Sequence, residues 1–152
     1  MTVIKTQIIQ FIVMFLVGIF LNPMNILAYR FSDLYLSLTL IYGGLFMASN
    51  MMWAHELVHY FSMGHLNKKV FLIGILLSIL CALLLLRNQL FVSDKQWVKR
   101  MIPHHSTALT TSHKIKNKTK NPQIRALAKS IIETQEKEIV WMKHFAKNSL
   151  NK

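Results

Sequence analysis

Two short stretches carry side chains whose types and spacing could do chemistry. Residues 55–59 read His-Glu-Leu-Val-His. On a helix, H-E-x-x-H puts its histidines one turn apart on one face, where they can hold zinc. The intervening glutamate, here Glu56, then serves as general base in many metalloproteases. Residues 101–105 read Met-Ile-Pro-His-His. Met101, His104 and His105 stand at positions i, i+3 and i+4, so Met101 and either histidine can reach one ion. Thioether sulfur selects Cu(I), imidazole accepts several transition metals, and methionine needs no deprotonation to bind.

The elements that position these groups narrow the choice. His55 and His59 belong to a longer row, Met47, Met51, His55, His59 and Met63, repeating every four residues. Each step of four advances about 40° beyond a full turn, so neighbours can share an ion while the whole row cannot. A zinc hydrolase acting through Glu56 needs a third protein ligand, such as His65 or Asp94, and a seat for a peptide. A second soft-metal site uses the row itself. A structural reading has the methionines packing between helices and the histidines, Glu56 and Tyr60 lying at a membrane interface. No protease mechanism requires the three methionines, and the structural reading accounts for them. Met101 and Met142 also have packing as their default role. Two adjacent histidines at bundle-facing positions are harder to absorb, because buried imidazoles need partners.

The chain has 152 residues, 53% hydrophobic and 16% charged. Residues 6–29, 34–54 and 70–86 carry no charge. A membrane-crossing helix needs roughly 20 apolar residues, with about 17 as a lower limit. The expectation is a membrane domain over residues 1–93, with three transmembrane helices at about 7–29, 34–54 continuing to 63, and 70–90. The first run is long and lacks a small-x-small cleavage site, so it reads as a retained helix. The single cysteine, Cys81, permits no disulfide within the chain and reads as a small packing residue. Lys5, Lys68 and Lys69 share one side, while Arg30 and Asp33 cancel on the other. The positive-inside rule then places the N-terminus in the cytoplasm and the C-terminal segment outside, although Lys95, Lys99 and Arg100 pull the other way. The expected location is a bacterial plasma membrane, crossed several times.

Residues 94–152 carry thirteen Lys or Arg against four Asp or Glu. Ser93 and Gln96 have the spacing of a capping box. Trp97, Met101, His104, His105, Ala108 and Ser112 recur at helical spacing and predict one helix face, with a kink near Met101 from Pro103. Residues 114–121, KIKNKTKN, read as a turn. Asn121-Pro122 starts a second helix, whose apolar face is Ile124, Leu127, Ala128, Ile131, Gln135, Ile139 and Met142. Such a hairpin is too small to bury a core alone. A homodimer completing a four-helix bundle is the economical solution, the alternatives being packing on the membrane surface or on the chain's own span ends. The lysines favour anionic lipid headgroups. No nucleic-acid-reading motif is present, and no nucleic acid is expected as partner.

The strings MIPHHSTAL and NPQIRALAKSIIETQEKEIVWM, in this order, resemble the domain-of-unknown-function 305 family (DUF 305) over roughly residues 94–146. The resemblance implies a ferritin-like helical bundle outside the cytoplasm and, in some members, copper or silver binding through Met and His. Membrane-anchored members with three spans ahead of the domain look like this chain. Carried over residue by residue, Met101, His104 and His105 match the opening motif and Met142 the closing one. His144 falls on another face and His113 two turns beyond His105. Longer members hold two helix pairs and this chain holds one, which again implies dimerisation. The resulting expectation is an all-α protein: three transmembrane helices, then an antiparallel hairpin forming a ferritin-like half-bundle. It binds copper as Cu(I), without turnover, in metal homeostasis or tolerance. A membrane zinc metallohydrolase and a metal-free dimerisation module are the alternatives.

Overall fold

The computed structural model describes residues 3–148, so the last four residues of the expected 94–152 segment lie outside it. Among the described residues every regular element is helical. In chain order these are α1 (Val3–Phe20), α2 (Pro23–Ile26), a 3-10 turn (Phe31–Asp33), α3 (Leu38–Met63), α4 (Lys68–Leu80) running into a π-helical Cys81–Arg87, α5 (Asp94–Lys118) and α6 (Pro122–Asn148). They form two compact units. The first joins residues up to Leu21 with Thr39–Phe91, and the second joins Asn22–Leu38 with the chain from Val92 onward.

In the first unit, glycines let helices approach closely. A Cβ added at Gly44 of α3 would lie 2.9 Å from Ile19 Cγ1 and 3.1 Å from the Phe15 carbonyl of α1, and one at Gly74 of α4 would lie 2.8 Å from the Trp53 amide nitrogen of α3. Small residues at helix crossings are the usual means of tight packing where apolar burial drives little association. Buried Ser49 and Ser78 donate their hydroxyls to the carbonyls of Leu45 (2.7 Å) and Gly74 (2.8 Å), which satisfies them inside an apolar helix.

Two helical stretches, Lys5–Ile26 and Lys68–Arg87, are long and apolar enough to cross a membrane. The expected middle span is not among them. α3 has 26 residues, but Gly43, Gly44, Ser49, Asn50 and His55 dilute its apolar character. The ends of the other two also differ from expectation. α1 stops at Phe20 rather than 29, because Asn22 caps the next helix, its side chain accepting from Asn25 N at 3.1 Å with Pro23 in first position. The third helix ends at Arg87. Beyond it, Gln89 (φ +48°) and Phe91 (φ +60°) turn the chain. Two bonds from the start of α3 hold that turn: Thr39 Oγ1 donates to Gln89 Oε1 at 2.7 Å and Tyr42 OH to the Leu90 carbonyl at 2.6 Å.

The second unit is the expected antiparallel hairpin, with a core of Val98, Ile102 and Leu109 from α5 and Ile132, Ile139, Met142 and Ala146 from α6. The buried face of α5 lies about one residue round from the predicted one. Val98, Ile102, Ser106 and Leu109 face inward together with Ser112, which is buried as predicted, while His104 is exposed and Trp97 is 52% exposed. The aliphatic series gives a continuous apolar stripe, whereas the predicted face would have buried two imidazoles. On α6, Ala128, Ile139 and Met142 are buried as predicted, and Ile124 and Leu127, near the turn, are exposed.

Two local expectations are corrected, the capping box and the length of the turn. Ser93 occupies the N-cap position of α5 without a side-chain bond, and Gln96 Oε1 instead accepts from Leu38 N at 3.0 Å, so no capping box forms. Pro103 lies buried within an uninterrupted α5. Residues 114–118 are helical and the turn shrinks to residues 119–121, since lysine is a good helix former and a cation is favoured near a helix C-terminus. Asn121 does cap α6, its Oδ1 accepting from Gln123 N at 2.9 Å.

The hairpin is not alone in its unit, because residues 22–38 pin to it. Asp33 is fully buried and receives Ser106 Oγ at 2.6 Å and Lys143 Nζ at 2.5 Å. Ser106 Oγ in turn accepts from Tyr29 N at 2.8 Å, and the Tyr29 ring stacks on His113 at 4.9 Å.

Candidate metal sites

The HELVH residues face a pocket of about 240 Å³ in the first unit, lined by Thr6, Gln7, His55, Glu56, His59, His65 and Asn67. Glu56 is buried, and both its oxygens are occupied. Gln7 Nε2 donates to Oε1 at 2.9 Å, and Asn67 N donates to Oε2 at 3.0 Å. Asn67 is itself the N-cap of α4. Glu56 therefore clasps the first turns of α1 and the start of α4 to the end of α3, which is a structural duty. Of the expected row, His55 and His59 share this pocket. Met47 lies against Gly18, and Met63 is 73% exposed. Asp94 belongs to the second unit.

The second constellation is only partly gathered. His105 and Met142 line one cleft of about 230 Å³ with Trp97, Glu138 and Trp141. Met101 is half-buried against the same core. His104 sits on the exposed side, its ring centre 5.8 Å from that of His105. His144 is exposed and contacts Asn148. Sequence reasoning missed Glu138 and Trp141. Their signal was available, because Glu138 stands four residues before Met142 and so shares its helix face. Among the described residues, no three His, Cys, Asp or Glu side chains already surround a common point.

His105 Nδ1 lies 3.0 Å from Glu138 Oε2. Burial holds the His105 pKa below the ordinary histidine value, while Glu138 pulls it up and His104 pushes it down. The neutral imidazole keeps a lone pair for a metal. Since the folded value lies below the unfolded value of about 6.5, this ring's contribution to stability is complete above that pH and is lost as pH falls through the folded value. An NMR titration of His105 in the full-length protein should give a midpoint below 6.5, and Glu138→Gln should lower it further. A midpoint above 6.5 contradicts this environment.

Helix, cap and hairpin define an all-helical protein with a two-helix domain at its C-terminal end. Residues 85–146 match the family model described as Domain of unknown function (DUF305). The chain is 34% identical over 136 residues to the Uncharacterized protein L153 of Acanthamoeba polyphaga mimivirus, covering 89% of this chain and 88% of that protein. No solved structure matches the chain. The chain belongs to the DUF305 family.

Proposed function

We propose that this protein is a membrane-anchored, non-catalytic binder of a soft metal ion, copper as Cu(I) or its analogue Ag(I), serving metal homeostasis or tolerance. The observation that carries the reading is the shared cleft of His105 and Met142, with Met101 packed on the same core. One imidazole and one or two thioethers are a soft, uncharged donor set suited to Cu(I). His104 is not a ligand in this arrangement. The non-catalytic reading rests on Glu56 acting as a clasp, with Gln7 Nε2 donating to one of its oxygens and Asn67 N to the other.

Three crossings are supported by a parity argument. Residues 22–38 and the hairpin are bonded within one unit, through Asp33, Ser106 and Lys143, so they lie on one side of a membrane. An even number of crossings must separate them. If α4 crosses, α3 crosses too, despite its diluted composition. Its polar groups are accommodated by internal hydrogen bonds and close glycine contacts. With Lys5, Lys68 and Lys69 at the cytoplasmic face, the hairpin is extracytoplasmic. The bacterial plasma membrane expected from the sequence gains no support from the mimiviral relative. Val140 and Trp141 on α6 are exposed apolar side chains that a second copy would cover.

The test is chelator competition with Cu(I) and Ag(I) on the full-length protein in detergent. One equivalent should bind. His105→Ala with Met142→Leu, which keeps core volume, should abolish it, and His104→Ala should leave it intact. Equal binding by wild type and the double variant would remove the site.

A further inference from the structure

In the first unit, α1 and α4 form with Met52 of α3 a groove of about 550 Å³ that the hairpin reading does not use. Its lining changes character along its length. Gln7, Asn67 and Lys69 stand at one end, toward the starts of α1 and α4, where Glu56 bonds both Gln7 and Asn67. Phe11, Ile73 and Leu77 line the remainder. From Lys69 to Leu77 the groove runs about 12 Å along α4, at a rise of about 1.5 Å per residue.

Its dimensions and charge select an occupant. Both walls belong to the stretches long and apolar enough to cross a membrane. Ile12 and Ile73, one on each wall, are both 51% exposed, so the groove opens sideways onto the hydrocarbon around the helices. Its length is close to the depth of one leaflet, half of a hydrocarbon core of about 30 Å. A helix docked from a second copy would run along the whole span, whereas an acyl chain needs only this depth. The polar end carries positive charge without a protein counter-charge. Lys69 lines it, and Lys5 and Lys68 belong to the same helix starts. Among the described residues none of the three pairs with an acid. Glu56, the one acidic residue in the sequence of this unit, is engaged by Gln7 and Asn67. Gln7 Oε1, at the same end, is buried without a protein partner, so the protein's own groups leave this corner incompletely satisfied.

We infer that this groove seats one acyl chain of an anionic phospholipid, with the phosphate at Lys69 and the chain along Phe11, Ile73 and Leu77. The lysine supplies the preference for an anionic headgroup, and the apolar walls bury the chain. The lipid fills the space between α1 and α4 and holds the two helices side by side, as a structural partner of the first unit. The inference rests on the membrane-anchored reading and is independent of metal at the hairpin.

The experiment is native mass spectrometry of full-length protein released from nanodiscs of equal parts phosphatidylglycerol and phosphatidylcholine. One phosphatidylglycerol should stay on each chain, in preference to phosphatidylcholine. Lys69→Gln should cut that preference about 5-fold, the worth of one lysine at an anionic surface. Ile73→Trp, which fills the groove, should abolish retention. Ile79→Trp, also on exposed α4 surface but outside the groove, should not. Equal retention of the two lipids by wild type, or none, overturns the inference and leaves the membrane reading standing. Equal behaviour of the two tryptophan variants does the same. A dimer that comes apart in Ile73→Trp assigns the groove to a second copy and overturns it too. Protein that stays dissolved without detergent or bilayer removes the membrane reading, and the inference with it.

Discussion

Lys143→Met should destabilise the second unit by about 3 kcal/mol, at the lower end of the range for breaking a buried ion pair. Asp33 is fully buried, and its carboxylate has two strong partners, Lys143 Nζ at 2.5 Å and Ser106 Oγ at 2.6 Å. Removing the ammonium leaves a buried charge held by one hydroxyl. Lys143 retains 28% side-chain exposure, so water softens the loss and the lower end of the range applies. The companion Asp33→Asn in the same chain should restore much of the stability, because a neutral amide needs no counter-charge. Denaturant unfolding of the full-length protein, followed by tryptophan fluorescence, reads both variants. A loss under about 1 kcal/mol, in the range of an exposed pair, would show that residues 22–38 do not depend on this contact.

Leu109→Ala should cost about 2–5 kcal/mol, the usual result of opening a cavity in a packed core. Leu109 is fully buried between α5 and α6. Trp97→Ala should cost far less despite removing a larger side chain, since Trp97 is 52% exposed and lines the cleft. The pair tests which face of α5 is inside. A larger loss at Trp97 than at Leu109 would restore the face expected from the sequence.

Much of the architecture was legible in the residues. Asn121-Pro122 marked the start of α6 because both residues act locally, one as a cap and one by its fixed φ. The all-helical class followed from long apolar runs and three- and four-residue spacing. The inward face of α5 was not legible, because Trp97–Met101–His105 and Val98–Ile102–Leu109 are both helical stripes one residue apart, and only packing against α6 chooses between them. Ser93–Gln96 failed as a capping box because Gln96 found a stronger use, 58 residues away in sequence, at Leu38 N.

The candidate sites show the same limit. His105 and Met142 lie on separate helices, and a motif could place each on its own helix but not His104 on the exposed side. Glu56 looked like a general base within five letters. Its partners, Gln7 and Asn67, stand 49 residues before and 11 after it, and no local pattern announces them. Asp33 is one of only six acidic residues. A lone carboxylate between apolar runs was a visible hint of a buried partner, while the identity of Lys143 required the fold.

X-ray absorption at the copper edge of full-length protein isolated from membranes tests the central claim most directly. The account predicts Cu(I) with both sulfur and nitrogen ligands, the sulfur contribution falling in Met142→Leu and the nitrogen contribution in His105→Ala. Copper held by nitrogen and oxygen alone, or protein free of copper after loading, would contradict it.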